Sequence, residues 1–425
     1  MVDIERISVK NFKGHSDFAF QAKDINIITG RNNVGKTSIL EAIDLDFNPT
    51  NVRDYASNAD KLVNAKTDQA EILCTYSGSS GQAGLAEFTS EGERQKLTIR
   101  LATEEEKIDF FNTLIDRQIS GEERVLSELK ESIDHSNEIE TTLRDSVERV
   151  ISDYLANDDF DRLFNSAIIL EREQSKVPFV YISKNLEEFV SDVSEILAYE
   201  IDIESSDSTE YSGVEWAIER IFRGLIIGRH GRSNYLGRIE DSSEVKFVKS
   251  FDISEKDIRS HNDYSVILSR IEDDLRNYGL VENLHDFSLD ELVFDENGDR
   301  YSIPYDFMGD GFKAMVGLLW ELRVSEEQNY ALLLEEPENH MHPGYIRDLV
   351  GFLTEFTTQE DTQIFITTHN MDFIREFLEY PGENMRPYLR ESFQIIQVRE
   401  HASKVLNYEQ AKSELEELHL DLRGG

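Results

Sequence analysis

The sequence predicts an α/β fold in which a mixed, mostly parallel sheet is joined by an antiparallel β subdomain and a helical insertion. Three observations predict it. Short apolar runs near both ends, Ile25 to Thr29 and Tyr330 to Leu334, are each followed by a helical pattern, as strands covered on both faces are. Between Glu71 and Leu101, β-type stretches flank the turn-rich Ser77-Gly78-Ser79-Ser80-Gly81. From Thr103 to about Phe164 the apolar period becomes helical. These changes divide the 425 residues into 1–102, 103–165, 166–290 and 291–425. The fold of 166–290 stays open at this stage.

Taken in order, Ile4 to Val9 alternates as a half-buried strand, Asn11 to Gly14 marks a turn, and Phe18 to Phe20 returns. Ile25 to Thr29 reads as a buried strand. A helix is expected from Thr37 to about Leu45, with Ile39, Leu40 and Ile43 inward. In the insertion Leu129, Ile133, Leu143, Val147 and Val150 form a stripe, which suits either a short antiparallel hairpin or a packed helical subdomain. Ala167 to Leu170 and Phe179 to Ile182 read as strands. Glu291 to Phe294 and Arg300 to Ile303 flank an Asn-Gly turn, a hairpin signature. Phe312 to Val324 and Gly344 to Phe356 are helical in period, and Gln363 to Thr367 and Phe393 to Val398 are strand-like, with a charged helix from about Gln410.

Composition narrows the class. The 44 Lys+Arg against 85 Asp+Glu give −41, yet 42 aromatic residues supply a core that disordered acidic chains lack. Cys74 alone excludes an internal disulfide or a cysteine-built zinc site. No apolar run reaches the ~20 residues that span a bilayer, and the N-terminus has no signal-peptide pattern. A cytoplasmic protein without membrane contact is expected. Its acidity excludes a general nucleic-acid coat. With 17 Lys against 27 Arg and carboxylates spread along the chain, the composition suits a halophilic cytoplasm, where salt screens self-repulsion.

Gly30-Arg31-Asn32-Asn33-Val34-Gly35-Lys36-Thr37, followed by Ser38, fits G-x-x-x-x-G-K-[ST] between a predicted strand and a predicted helix. Its glycines let backbone amides wrap a phosphate, Lys36 would reach the β/γ-phosphates, and Thr37 would ligate Mg²⁺. The strand Tyr330 to Leu334 ends in Glu335-Glu336-Pro337. Glu335 takes the metal-side role and Glu336 the water-polarising one. Ile364 to Thr368 ends in His369, placed to bond a γ-phosphate. Glu338, His340 and His342 match no helical zinc motif and read as turn and interface packing.

Asn11-Phe12-Lys13, this P-loop, Glu335-Glu336-Pro337-Glu338-Asn339-His340-Met341-His342-Pro343 and Thr367-Thr368-His369 together resemble the ABC-type ATPases of the SMC/RecF/OLD group, above all the OLD-like AAA ATPases. The resemblance covers roughly 1–100 and 290–375 and implies a P-loop ABC-type ATPase head. It implies that Gly309, Asp310 and Gly311, in Met308 to Phe312, form a signature loop that closes over ATP held by a second subunit. Three departures stand out. The signature serine is Gly309, the Walker B aspartate is Glu335, and the 56 residues after His369 leave no room for a TOPRIM nuclease.

The resemblance implies ATP and Mg²⁺ as ligands and a homodimer or higher homo-oligomer. It also implies a switch serving anti-phage defence beside a separate effector. A DNA-repair or chromosome-organising ATPase, and an ATP-binding scaffold with negligible hydrolysis, remain open. Any nucleic-acid contact is expected at Arg220, Arg223, Arg229, His230, Arg232 and Arg238, although these arginines pairing with the chain's own carboxylates is the simpler expectation.

Overall fold

In a computed structural model the described residues are 3–77, 93–132, 139–173, 175–183, 185–201, 203, 208–226, 234–235, 240–242, 244–249, 255–324, 331–339, 341–379, 384–399, 403–416 and 421–422. The chain opens with β1 (Asp3–Phe12), β2 (His15–Gln21), β3 (Ile25–Gly30) and α1 (Lys36–Phe47), then β4 (Gln69–Ser77) and β5 (Glu93–Leu101). Helices α2 (Glu104–Gly121), α3 (Glu123–Ser132) and α4 (Ile139–Ala156) precede β6 (Phe164–Arg172) and β7 (Ser175–Ile182). Next come α5 (Leu186–Glu200), α6 (Ser208–Ile226), β8 (Asn234–Tyr235), β9 (Val245–Val248), α7 (Glu255–Ser260) and α8 (Tyr264–Asn277). The remainder holds β10 (Leu284–Phe287), β11 (Glu291–Glu296), β12 (Asp299–Pro304), α9 (Asp310–Val324), β13 (Ala331–Glu335), α10 (Pro343–Gln359) and β14 (Ile364–Thr368). It closes with α11 (Met371–Glu379), α12 (Arg386–Ser392), β15 (Phe393–Val398), β16 (Ser403–Asn407) and α13 (Tyr408–Glu416).

The chain forms two compact units. The first comprises Met1–Pro49, Glu71–Leu97 and Glu240–Gly425, and the second Thr50–Ala70 and Thr98–Ile239. The first unit is built on a six-stranded sheet in the order β16-β15-β3-β14-β13-β9. All neighbours are parallel except β15 and β16. Every residue of β3, β14 and β15 is buried, which is why their sequences are unbroken apolar runs with few polar members.

Those polar members bond to each other. Asn26 Nδ2 donates to Ile364 O at 3.1 Å, and Gln394 Nε2 donates to Asn26 Oδ1 at 2.7 Å, which ties β3 to both its neighbours. Helices α8 to α11 and α13 pack an apolar core against this sheet. Beside it β1 pairs antiparallel with β2 and β4, and β10-β11-β12 form the expected hairpin with one added strand. Asn297 and Gly298 both have positive φ, 57° and 93°, as a two-residue turn of the Asn-Gly kind requires.

In the second unit, α2 to α6 bury one contiguous core around Phe111, Leu143, Phe189 and Phe222. Leu129, Leu143, Val147 and Val150 lie in it, so the helical stripe belongs to a packed subdomain; Ile133 lies outside the described residues. β6 and β7 form an antiparallel hairpin. Among the described residues no helix is long and apolar enough to cross a membrane.

Candidate functional site

The site is built at the C-terminal ends of three parallel strands of the first unit. β3 delivers the loop 30–35, β13 delivers Glu335, and β14 lies between them and delivers Thr368 and His369. Gly30 sits so close to β15 that an added Cβ would stand 2.6 Å from Val398 O. Gly35 has φ 93°, and a Cβ there would meet His15 Nε2 at 2.5 Å. The loop therefore keeps its path only with glycine at both positions.

Gly35 is also the N-cap of α1. It brings no capping side chain, and the first turn of α1 carries no acidic residue. The first amides of α1 are thus left to a ligand, and the helix dipole favours an anion. A cavity of about 750 Å³ lies over them, lined by Gly14, Asn32, Asn33, Val34, Gly35, Lys36, Thr37, Ser38 and Glu336. That volume suits a nucleotide-sized ligand.

Lys36 is buried and its Nζ donates to Gly30 O and Arg31 O, each at 3.2 Å. Burial pulls its pKa down, while the carboxylates of Glu336 and Glu338 oppose that. The Thr37 hydroxyl donates to Glu335 Oε1 at 2.6 Å. These are hard oxygen donors beside an anion cradle, the donor set and setting that suit Mg²⁺ bound together with phosphates. The residues present fit an ATP·Mg²⁺ ligand.

Glu336 follows Glu335 with φ 45°, a left-handed conformation that turns its side chain into the cavity instead of across the sheet. Its backbone N–H donates to Thr367 O at 3.0 Å. His369 Nδ1 lies 2.9 Å from Glu336 Oε1, and Asn339 Nδ2 donates to Oε2 at 3.0 Å. An ionised carboxylate only accepts, so this contact places a proton on Nδ1. Burial raises the Glu336 carboxyl, but His369, Asn339 and Lys36 together outweigh it and hold it below its ordinary value. An ionised base beside a proton-bearing imidazole can orient and deprotonate water.

Most of the residues singled out in the sequence thus meet here. Glu335 joins through Thr37 and His369 through Glu336, although neither lines the cavity directly. Gly309, Asp310 and Gly311 do not line it. They form the N-terminus of α9, where Phe312 N and Lys313 N both bond to Gly309 O, and Gly311 packs against Tyr345 and Met341. His342 caps α10, its Nδ1 accepting from Gly344 N at 3.3 Å, as the turn reading expects. His340 lies outside the described residues. No group of three or more His, Cys, Asp or Glu poised for a metal occurs among the described residues.

Sequence reasoning missed Gly14, in the cavity wall, and His15, whose Nε2 contacts Gly35 O at 2.9 Å. Burial lowers the His15 pKa, partly opposed by that contact, so the ring braces the loop as a neutral group. Nothing in the β1–β2 turn marks a histidine as touching the P-loop.

In the second unit Arg220 and Arg223 line a cavity of about 540 Å³ with Trp216, Glu187, Glu215 and Glu219. Arg220 lies 5.1 Å over the Trp216 ring. Among the described residues neither of these two arginines pairs with a carboxylate, although Glu187, Glu215 and Glu219 line the same cavity. Arg229, His230, Arg232 and Arg238 lie outside the described residues.

A family profile described as AAA ATPase domain matches residues 3–374. An uncharacterized protein of Methanocaldococcus jannaschii is 29% identical over 121 residues, 28% of this chain and the whole of that protein. The DNA double-strand break repair Rad50 ATPase of Methanopyrus kandleri is 32% identical over 79 residues, 18% of this chain and 9% of that protein. Among solved structures, the SMC head domain of Thermotoga maritima aligns with TM-score 0.42 at 11% identity, covering 95% of this chain and 98% of that one. The Smc head of Pyrococcus furiosus with an extended coiled coil, bound to the C-terminal domain of ScpA, aligns with TM-score 0.40 at 14% identity, covering 99% and 100%.

Proposed function

The chain belongs to the AAA ATPase domain family and is an ATPase, and from that premise we propose a Mg²⁺-dependent molecular switch driven by ATP hydrolysis. The observation that carries this reading is the meeting of two residue pairs, Thr37 with Glu335 and Glu336 with His369, beside the open N-terminus of α1. The amides of Asn33 to Thr37 and the Lys36 ammonium bind the β/γ-phosphates of ATP. Mg²⁺ held by Thr37 and Glu335 would neutralise phosphate charge. Glu336 accepts a proton from the attacking water, and His369 fixes the carboxylate and contacts the γ-phosphate.

The signature residues Gly309 to Gly311 stand apart from the P-loop cavity of their own chain. A homodimer or higher oligomer in which the α9 N-terminus of one copy meets the nucleotide of another rests on the resemblance to ABC-type ATPases. A separate effector and an anti-phage sensor role rest on resemblance to stand-alone ATPases of the OLD type. The composition supports work in concentrated salt.

Glu336→Gln is the test. We expect turnover to fall at least 100-fold while ATP binding persists and an ATP-bound oligomer accumulates in sedimentation. Unchanged phosphate release would remove the role of Glu336. A second reading, a DNA-repair or chromosome-organising ATPase, rests on the Arg220 guanidinium 5.1 Å over the Trp216 ring, in a cavity that Glu187, Glu215 and Glu219 also line. It predicts hydrolysis stimulated by DNA, and stimulation that survives Arg220→Ala with Arg223→Ala counts against it.

A further inference from the structure

Glu338 is a carboxylate that the mechanism above leaves unused. It lies between β13 and α10, is 2% exposed, and has one buried oxygen, Oε2, without a hydrogen-bond partner among the described residues. Its Oε1 accepts from the Thr368 hydroxyl at the end of β14. A carboxylate so placed is costly, and an apolar side chain would pack the loop at lower cost. What the bond connects explains its retention.

The Thr368 hydroxyl also accepts from Asn370 N at 2.9 Å, and Asn370 Oδ1 accepts from Asp372 N at 2.8 Å, where α11 begins. One side of the bond is therefore fixed to the sheet and a helix. The other side is the loop carrying Glu336 and Asn339, with Asn339 N bonded to Glu336 O at 3.1 Å and Met341 N to Glu338 O at 3.1 Å. Glu336 sits at φ 45°, where a glutamate is strained and is kept only by its surroundings. The His369–Glu336 contact is half-exposed and the backbone bond to Thr367 fixes only one atom of the loop. The tie that is shielded from water is Glu338 to Thr368.

We propose that Glu338 is a positioning residue for hydrolysis, pinning the acidic loop to the histidine strand through Thr368 so that Glu336 and His369 meet in the reacting arrangement. The proposal rests on the roles given above to that pair. Glu338 touches neither substrate nor metal in this scheme. Its effect falls on the rate of turnover and not on nucleotide binding, which belongs to the P-loop.

The full chain tests this with Thr368→Val, which removes the hydroxyl at constant shape, and Thr368→Ser, which keeps it. We expect Thr368→Val to lower kcat 10- to 100-fold with KM and fluorescent-ATP affinity within twofold, and Thr368→Ser to recover most of the rate. Because Thr368→Val alone orphans Glu338, the double variant Glu338→Leu/Thr368→Val is needed. It should regain the part of the thermal stability lost by orphaning Glu338, while Asn370 N lacks its acceptor in both variants, and still turn over slowly. A rate that recovers with stability, an unchanged kcat in Thr368→Val, or a raised KM at constant kcat would each overturn the proposal. Glu336→Gln run in parallel separates the two levels. If it abolishes turnover and Thr368→Val does not lower it, the positioning role fails alone; if it leaves turnover intact, the underlying reading fails.

Discussion

Burial sets the chemistry of His15, Lys36 and Glu338 around the phosphate loop, whereas its partners hold Glu336 below its ordinary value. It pushes the Glu338 carboxyl up to about 7 from its ordinary 4.5, the nearby Glu336 charge adding to the rise while the Thr368 hydroxyl and His369 oppose it. The native state then holds a proton that the unfolded chain has released above about 4.5. The stability this group contributes is full below about 4.5 and is lost as pH rises through about 7. Glu338→Gln should therefore gain on the parent chain between pH 5 and 8, by roughly 3 kcal/mol. Thermal melts of both chains across that range check it, and a constant gap would contradict it. Gly35 offers a second test. Gly35→Ala must adopt φ 93° and displace His15, so ATP binding should be lost while the far-UV spectrum is kept. At this scale the motif residues were legible, because G-x-x-x-x-G-K-T and the Glu335-Glu336 pair state their chemistry in their order. His15 and Gly14 were not, since their contacts depend on how a hairpin folds over a loop about 20 residues away.

Elements repeat the pattern. Strands β3, β13, β14 and β15 were readable as apolar runs, and α1, α9 and α10 from their period and flanking signals. Strand β9 was not. Val245-Lys246-Phe247-Val248 is four residues long, and Lys246, mostly buried, bonds Glu321 in α9 and so breaks the apolar run. Nor could apolar character alone order the strands. The buried amides do more, because Asn26 meets β14 and β15 only in one register. Asn26→Ala should take from Gln394 Nε2 one of its two acceptors, the other being Gln21 O, and from Lys23 N its bond to Asn26 Oδ1, and cost about 1–3 kcal/mol. A urea titration reads that cost as a lowered midpoint at constant slope, and an unmoved midpoint would show the network to be idle.

The net charge of −41 acts over the whole chain, not at the site. Raising KCl from millimolar to molar should raise the melting temperature by screening carboxylate repulsion, and a fall would refute the salt reading. The charge said little about partners, and the phosphate chemistry rests on a few dozen residues drawn from distant parts of the sequence. That dispersal has a consequence for biosynthesis. β3 and its loop leave the ribosome well ahead of β14 and β15, the two strands that flank β3. At ~5–20 residues per second the wait from Gly30 to Phe393 is on the order of 20–70 s. For most of that time β3 is an apolar segment with neither sheet neighbour, β14 being made shortly before β15. Nascent chains are therefore unable to bind ATP until Val398 has been made, and an apolar strand waiting that long is a natural client for a chaperone.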